Sequence, residues 1–175
     1  MISQVNGLAK YIEINFQEKK VELKWPWSIL PPGFLPINKN IFKSNFHKKN
    51  FPDIIITCGR KSIYVSLYLK KLLRDKIISI HIQNPKINNN NFDFVISPNH
   101  DRYYGKNIIN SIGALHNIGI EKINNAKKLF DVPNNKKIVT VILGGENNHY
   151  YFDNLIFNKL INKISILNNI NNNFF

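Results

Sequence analysis

The sequence predicts an α/β protein with a parallel sheet that is covered by helices on both faces. Short apolar runs recur from Phe51 onwards, and each of them stops at a glycine, proline or polar residue. Helical patterns stand between some of these runs, which is the alternation that a parallel sheet requires. The first run has no polar alternation, as is typical of a strand buried on both faces. Together these observations predict a Rossmann-like sheet.

The segment before the sheet is predicted to contain one helix and one strand. Apolar side chains at helical spacing predict a helix over residues 2–12, and polar–apolar alternation predicts a strand over residues 20–25. Residues 25–36 carry four prolines, which exclude a regular element there. For Trp25 and Trp27 in this loop we favour packing of the aromatic rings onto the body. An exposed anchor for a membrane or a partner is the alternative.

The central part of the chain is predicted to hold four strands and two helices. Apolar runs predict strands over residues 53–57, 77–82, 92–97 and 107–112, and helical periodicity predicts helices over residues 63–74 and 121–130. In the first of these helices we expect Lys70, Lys71 and Arg74 to face solvent. His81 lies inside an apolar strand, where we expect a buried histidine with satisfied hydrogen bonds.

A further strand is predicted over residues 137–143, followed by Gly144 and Gly145 and by a helix from about Asp153. A strand, a glycine turn and a helix start in this order can accept a phosphate, because glycine lets a ligand approach closely and free N–H groups attract an anion. The turn lacks the lysine of a P-loop and the three spaced glycines of a dinucleotide-binding turn. A plain turn therefore stays open as the alternative.

The net charge of +13 over 175 residues would ordinarily suggest nucleic acid or an acidic membrane as the partner. Asn, Ile and Lys are all abundant and all have AT-rich codons, so we favour compositional drift over a functional basic surface. Net charge is the sole support for nucleic-acid binding, and no specific nucleic acid is expected.

Cysteine usage and hydropathy predict a cytoplasmic location, with peripheral attachment to the inner face of the membrane as the alternative. Cys58 is the single cysteine, which excludes an internal disulfide and fits a reducing compartment. The chain shows neither an apolar stretch of spanning length nor a signal peptide. No His/Cys spacing indicates a zinc site, and no cofactor is predicted.

Glycines and polar residues follow the predicted strands at their carboxyl ends, where ligands bind to parallel sheets. We predict that eleven residues at this edge bind a ligand: Gly59, Arg60, Lys61, Gln83, Asn84, Gly113, His116, Gly144, Gly145, Glu146 and His149. Two cations at a helix start suit a phosphate or carboxylate, although a solvated turn with Ser62 as N-cap is an equal alternative. The Cys58 thiol beside these cations is either lowered in pKa or, as we favour, a small residue that closes the strand.

His100 and Asp101 are the candidate catalytic residues. A histidine beside a carboxylate can act as a general base. The alternative is a capped loop in which Asp101 accepts backbone N–H groups. His116 likewise has a second interpretation, a hydrogen bond to a carbonyl instead of a ligand contact.

Seven short motifs occur in the order found in one known family. They are Trp25-Pro26-Trp27 with Leu30-Pro31-Pro32, Pro52-Asp53-Ile54-Ile55-Ile56, Gly59-Arg60-Lys61, Ile82-Gln83-Asn84-Pro85, Phe92-Asp93 with Pro98-Asn99-His100-Asp101, Gly113-Ala114-Leu115-His116, and Leu143-Gly144-Gly145. By these motifs the chain resembles the mitochondrial fission protein family, whose plant member is named for elongated mitochondria. Bacterial relatives of that family are common in alphaproteobacteria, where they are often labelled nucleoside-diphosphate-sugar epimerases.

The resemblance implies the first half of a two-domain GT-B glycosyltransferase-like architecture. It implies a first domain over residues 1–133, with its first strand missing, and an incomplete second domain over residues 134–175. The expected ligand is a nucleotide sugar or another phosphorylated small molecule at the interdomain cleft, with the sugar nucleotide as substrate. A truncated chain of this kind is expected to be inactive alone. The alternative function is a non-catalytic adaptor at a membrane surface.

Overall fold

The computed structural model of the protein describes residues 1–44, 51–127, 140–144 and 151–171. The chain divides into two compact units, Met1–Ile118 and Gly119–Phe175. The boundary predicted after residue 133 lies outside the described residues, so the predicted domain limits stay a prediction.

A four-stranded parallel sheet forms the centre of the first unit. Its strands are β1 (Ile54–Cys58), β2 (Ile78–Ile82), β3 (Phe94–Pro98) and β4 (Ile108–Ser111). They lie side by side in chain order, and all three neighbouring pairs are parallel. The predicted α/β class with a Rossmann-like sheet is confirmed. Each of the four strands lies within two residues of its predicted limits, because the apolar runs and their proline and glycine stops mark them clearly.

The described part of the first unit has two α-helices, α1 (Ile2–Tyr11) and α2 (Ile63–Leu73). Helix α2 connects β1 to β2 in the usual crossover. The later connections contain short 3₁₀ turns instead, at Asn89–Asn91 and Asn99–Asp101. The turn at Asn99–Asp101 follows β3 directly, whereas the turn at Asn89–Asn91 bonds Asn107 just before β4.

The main core lies where α2 packs against the segment that precedes the sheet. Tyr64, Val65 and Leu69 of α2 are buried against a set of apolar side chains from the remaining chain: Leu23, Leu35, Ile41, Phe42 and Ile77. Leu23 makes one isolated antiparallel bridge with Phe42, so the strand predicted over residues 20–25 is wrong. The alternation there reflects a segment that packs Val21 and Leu23 against the core. Two backbone hydrogen bonds join it to residues 41 and 43, too few for a strand.

The two tryptophans of the proline-rich loop differ, since one packs onto the body of the protein and the other is exposed. Trp27 is half-buried and packs against the main core. The Gly33 N–H donates to the Tyr64 hydroxyl over 2.7 Å, which fastens the loop to α2. Trp25 is 80% exposed. Packing therefore holds the loop through Trp27, and Trp25 stands free of it.

Lys70 was predicted to face solvent, but it forms an ion pair with Asp93 instead. Its Nζ donates to both carboxylate oxygens of Asp93 over 2.7 Å. The Ser79 N–H and hydroxyl donate to the same carboxylate over 2.7 and 2.9 Å. Burial raises the pKa of Asp93, but these bonds outweigh that effect and hold the pKa below its ordinary value. The carboxylate therefore joins α2, β2 and the start of β3, an arrangement that helical periodicity cannot show.

The second unit contains two described helices, α3 (Ile120–Lys127) and α4 (Asn154–Asn171). Both agree with predicted helices, and residues 128–130 lie outside the described residues. Residues 140–143 form no strand, which contradicts the described part of the strand predicted over 137–143. No described strand pairs with them, and Ile142 is exposed. Among the described residues, no helix combines the length and apolar character needed to cross a bilayer.

Candidate functional site

An open cleft of about 320 Å³ lies at the carboxyl edge of the sheet. Its lining comes from helix α1, from the loops after β2, β3 and β4, and from the last residue of β3: Gln4, Gln83, Asn84, Lys86, Pro98, His100, Asp101 and Ala114. We call it the polar cleft. Four of the predicted site residues, Gln83, Asn84, His100 and Asp101, share this cleft. The carboxyl-edge rule accounts for their convergence, because parallel strands deliver their following loops to one edge.

The loop after β2 has an unusual backbone in the polar cleft. Gln83 and Lys86 both have positive φ angles, of 79° and 58°. Residues other than glycine rarely adopt this region, which costs on the order of 1 kcal/mol or more. The Gln83 N–H donates to the Ile96 carbonyl over 2.8 Å, and the Asn84 side chain accepts the Lys86 N–H over 2.9 Å. These bonds hold the turn in its strained form.

His100 and Asp101 lie in the 3₁₀ turn after β3. Their Nε2 and Oδ1 atoms are 3.6 Å apart, close enough for a charge interaction but too far for a direct hydrogen bond. The Ser97 hydroxyl donates to the other Asp101 oxygen over 3.2 Å. The His100 side chain is 69% exposed, whereas that of Asp101 is 32% exposed. The turn thus presents an exposed imidazole next to a carboxylate that is held by the Ser97 hydroxyl.

Gln4 is a cleft residue that the sequence did not reveal. Its side-chain carbonyl accepts from the Cys58 thiol and from the Gln83 amide, each over 3.1 Å. Helix α1 therefore reaches the ends of β1 and β2. A glutamine in a helix gives no local sign of contacts 54 and 79 residues away.

Burial raises the pKa of the Cys58 thiol, although the N-terminal ammonium partly opposes this effect. The alternative of a cysteine with a lowered pKa is therefore wrong, and the favoured interpretation of a small residue at the end of a strand is in agreement. The physical reason is that burial of the thiol, which contacts Gln4 of α1, disfavours its charged form.

The turn Gly59-Arg60-Lys61 lies outside the lining of the polar cleft. Gly59 has φ of +91°, a backbone conformation that favours glycine, and a Cβ at this position would displace the flexible Met1 side chain. Arg60 and Lys61 are exposed. Ser62 is at the N-cap position of α2, but its hydroxyl donates to the Gly59 carbonyl over 2.9 Å and does not cap the helix. Binding of a ligand by these three residues stays a prediction.

Comparison with known proteins identifies the family. The sequence profile of the family described as Mitochondrial fission ELM1 matches residues 1–173. The chain belongs to this family. It is 37% identical to the mitochondrial fission protein ELM1 of Arabidopsis thaliana over 57 residues, which are 33% of this chain and 13% of that protein. It is 30% identical to the uncharacterized protein RP120 of Rickettsia prowazekii (strain Madrid E) over 151 residues, 65% of this chain and 42% of that protein.

The matches thus span less than half the length of either ELM1-family relative. No solved structure matches the chain. Within this family member, the Phe92-Asp93 motif has a structural explanation, since Asp93 holds Lys70 and Ser79. The Gln83-Asn84 and His100-Asp101 motifs instead line the polar cleft.

A second groove, of about 390 Å³, lies beside the polar cleft of this ELM1-family chain. It is lined mainly by apolar residues of α1 and of the loop after β4: Gly7, Leu8, Tyr11, Ala114, Leu115, His116 and Ile118. We call it the apolar groove. The Nδ1 atom of His116 accepts the Ile118 N–H over 3.2 Å, so this ring bonds an amide and not a carbonyl. Gly113 is exposed, with open space where a Cβ would stand.

The remaining predicted site residues belong to the second unit. Gly144 is exposed, and nothing lies within 4 Å of an added Cβ. Gly145, Glu146 and His149 lie outside the described residues. The phosphate-accepting turn therefore stays a prediction.

Proposed function

We propose that this ELM1-family protein binds a phosphorylated sugar compound, foremost a nucleotide sugar, in the polar cleft. The observation that carries the proposal is the convergence of amide, ammonium, imidazole and carboxylate groups in one cleft at the carboxyl edge. A volume of about 320 Å³ is at the lower end of small-molecule pockets. It suits part of a ligand of this size, such as the sugar and one phosphate.

The groups in the cleft have complementary tasks toward such a ligand. The Gln83 and Asn84 amides and the Asp101 carboxylate can hydrogen-bond sugar hydroxyls. Lys86 supplies the positive charge that a phosphate needs. The strained turn after β2 holds the backbone of Gln83, Asn84 and Lys86, and the Ser97 hydroxyl holds the Asp101 carboxylate, so their positions are set before a ligand arrives.

A glycosyltransferase-like reaction is the activity proposed for the whole protein. His100 would take or give a proton as acid or base, and Asp101 at 3.6 Å would stabilise its protonated form. Cations and helix N-termini stabilise the charge of a departing diphosphate. Lys86 is the described cation in the polar cleft that can contribute to this effect.

Titration calorimetry with glucose phosphate, UDP and UDP-glucose tests the proposal. We expect heat of binding with at least one of them, and weakening by roughly tenfold or more in Lys86→Gln, because a charge-assisted hydrogen bond is lost. Lys71→Gln is the matched control, an exposed lysine outside the cleft lining. Absence of heat with every compound, or equal weakening in both variants, would contradict the proposal.

The second candidate function is an adaptor at a membrane surface, and the proline-rich loop favours it. Trp25, Ile29 and Phe34 are 80%, 73% and 75% exposed on this loop. Aromatic side chains next to lysines are suited to the interface of an anionic bilayer. Lys24 and Lys39 are exposed in the same segment.

Sedimentation with phosphatidylserine vesicles distinguishes this function from ligand binding alone. We expect the protein to sediment with the vesicles and Trp25→Ala to reduce that fraction. Tyr104→Ala is the control, an exposed aromatic residue outside the loop. If both variants sediment like the original chain, the loop does not contact the membrane.

A further inference from the structure

We propose that the ligand is amphiphilic, with a phosphorylated head group in the polar cleft and an apolar chain in the apolar groove. This inference deepens the proposed function and rests on it for the head group. It assigns a chemical class, a lipid-linked phosphate, to the compound that the protein recognises.

The two sites are continuous along one face of helix α1. Gln4 lines the polar cleft, and Gly7, Leu8 and Tyr11 line the apolar groove. Positions i, i+3, i+4 and i+7 share one face of a helix. This face is therefore polar at its first turn and apolar over the next two turns. A molecule with a polar head group and an apolar chain has the same order of polar and apolar parts. The distance along the axis from Gln4 to Tyr11 is roughly 10 Å.

The opposite wall is also shared by the two sites. Ala114 lines both the polar cleft and the apolar groove. Its side chain is a single methyl group, so it takes up little space where the two sites meet. Leu115 and Ile118 then continue the wall on the apolar side. A molecule that fills one site can consequently extend into the other without crossing a polar barrier.

The walls of the groove are fastened to each other. The Ser3 hydroxyl donates to the Asn117 side chain over 2.8 Å, and the Asn117 N–H donates back to Ser3 over 3.3 Å. A Cβ on Gly7 would collide with the His116 carbonyl, so helix and loop are in close backbone contact. The groove is therefore formed before any ligand enters it, which lowers the entropic cost of binding.

The surface chemistry favours a lipid chain over a protein segment as occupant. Tyr11 is 85% exposed and Ile118 is 55% exposed, so apolar area at the groove faces water. The groove opens directly onto a cleft that holds an ammonium group, Lys86, and hydrogen-bonding amides. A phosphate attached to an alkyl chain satisfies both parts with one molecule.

A chain-length series tests the inference. Ethyl, butyl, hexyl, octyl and decyl phosphate are titrated calorimetrically into the full chain, each below its micelle concentration. We expect the dissociation constant to fall by roughly fourfold for each methylene that is buried, and to become constant once the chain outgrows the groove. Decyl trimethylammonium, with the same chain and opposite head-group charge, should bind far more weakly.

Variants assign the two parts of the binding surface. Leu8→Gln and Tyr11→Ser should flatten the dependence on chain length, and Tyr11 is exposed enough that its replacement leaves the fold intact. Lys86→Gln should weaken every member by a similar factor and keep the slope. Leu72→Gln is the control, an exposed leucine on α2 outside the groove.

Each outcome supports or overturns the inference. Equal affinity for ethyl and decyl phosphate overturns it, and points to a protein partner or none for the apolar groove. A slope that Tyr11→Ser and Leu8→Gln leave unchanged also overturns it. If UDP-glucose binds while chain length has no effect, the proposed function stands and the inference falls. If no phosphate compound binds, both fall.

Discussion

Individual asparagine side chains hold the loops of the sheet in place. The Asn107 amide donates to the carbonyls of Phe92 and Asn89 over 2.8 and 2.9 Å. The Asn110 amide donates to the Tyr103 carbonyl over 3.0 Å. The abundance of asparagine is consistent with AT-rich codons, but these positions have a defined structural task. Composition alone could not separate the two explanations, because only the fold shows which carbonyls need a donor.

Replacement of Asp93 by asparagine should destabilise the protein by about 1–3 kcal/mol, because hydrogen bonds from Lys70 and Ser79 to a charged group are lost. The free energy of unfolding is measured by urea denaturation at neutral pH. Glu22→Gln is the control, because its ion pairs with Lys20 and Lys43 are at the surface, and it should leave the midpoint unchanged. An equally stable Asp93→Asn would show that the carboxylate does not stabilise the fold.

His81 should make stability depend on pH. The ring is buried, its Nδ1 is 2.8 Å from the Thr57 hydroxyl, and it stacks near Phe92. This confirms the predicted buried histidine. Burial lowers its pKa from 6.5 to about 4. Between pH 6.5 and pH 4 the unfolded chain therefore binds more protons at this residue than the folded chain does. The free energy of unfolding is highest above pH 6.5 and falls by roughly 3 kcal/mol as the pH falls toward 4.

The measurement for His81 is the urea midpoint between pH 7 and pH 4. The slope over this range should flatten in His81→Leu and persist in His100→Gln, whose side chain is exposed. A slope that survives in His81→Leu would assign the pH dependence to other groups.

Secondary structure was predictable wherever the signal was local. Strands β1 to β4 were predictable because proline, glycine and asparagine follow apolar runs, and helix α2 because its apolar side recurs at helical spacing. The strand over residues 20–25 failed, since alternation shows burial of one side but not the presence of a pairing strand. The contact of Lys70 with Asp93 was likewise hidden, because an ion pair between elements leaves no periodic sign.

Helix α1 lines both the polar cleft and the apolar groove, and replacement of Gly7 tests how closely it packs against the loop after β4. Gly7→Ala should gain about 1 kcal/mol from helix propensity if the helix were free. We expect a net loss of about 1–3 kcal/mol instead, because the added methyl collides with the His116 carbonyl. Thermal denaturation measures the sign. Gly113→Ala is the control, with open space around the added methyl; a stabilised Gly7→Ala would place α1 elsewhere.

At the scale of the whole molecule, the polar cleft joins segments that are distant in the sequence. The carboxyl-edge rule predicted that Gln83, Asn84, His100 and Asp101 would meet. It did not predict which loops turn inward, so Arg60 and Lys61 were grouped with them although they lie outside the lining. Gln4 and Ala114 could not be predicted as lining residues, since their contribution depends on how α1 and the last loop pack together.

The proposed function requires that the polar cleft binds a phosphorylated ligand. The most direct measurement is an NMR titration of the isotope-labelled chain with glucose phosphate, followed through backbone and side-chain amide signals. We expect shifts at Gln4, Gln83, Asn84 and the His100–Asp101 turn that exceed any shift at Gly59–Lys61. Shifts confined to Gly59–Lys61, or none in the cleft at saturating ligand, would contradict the proposed function.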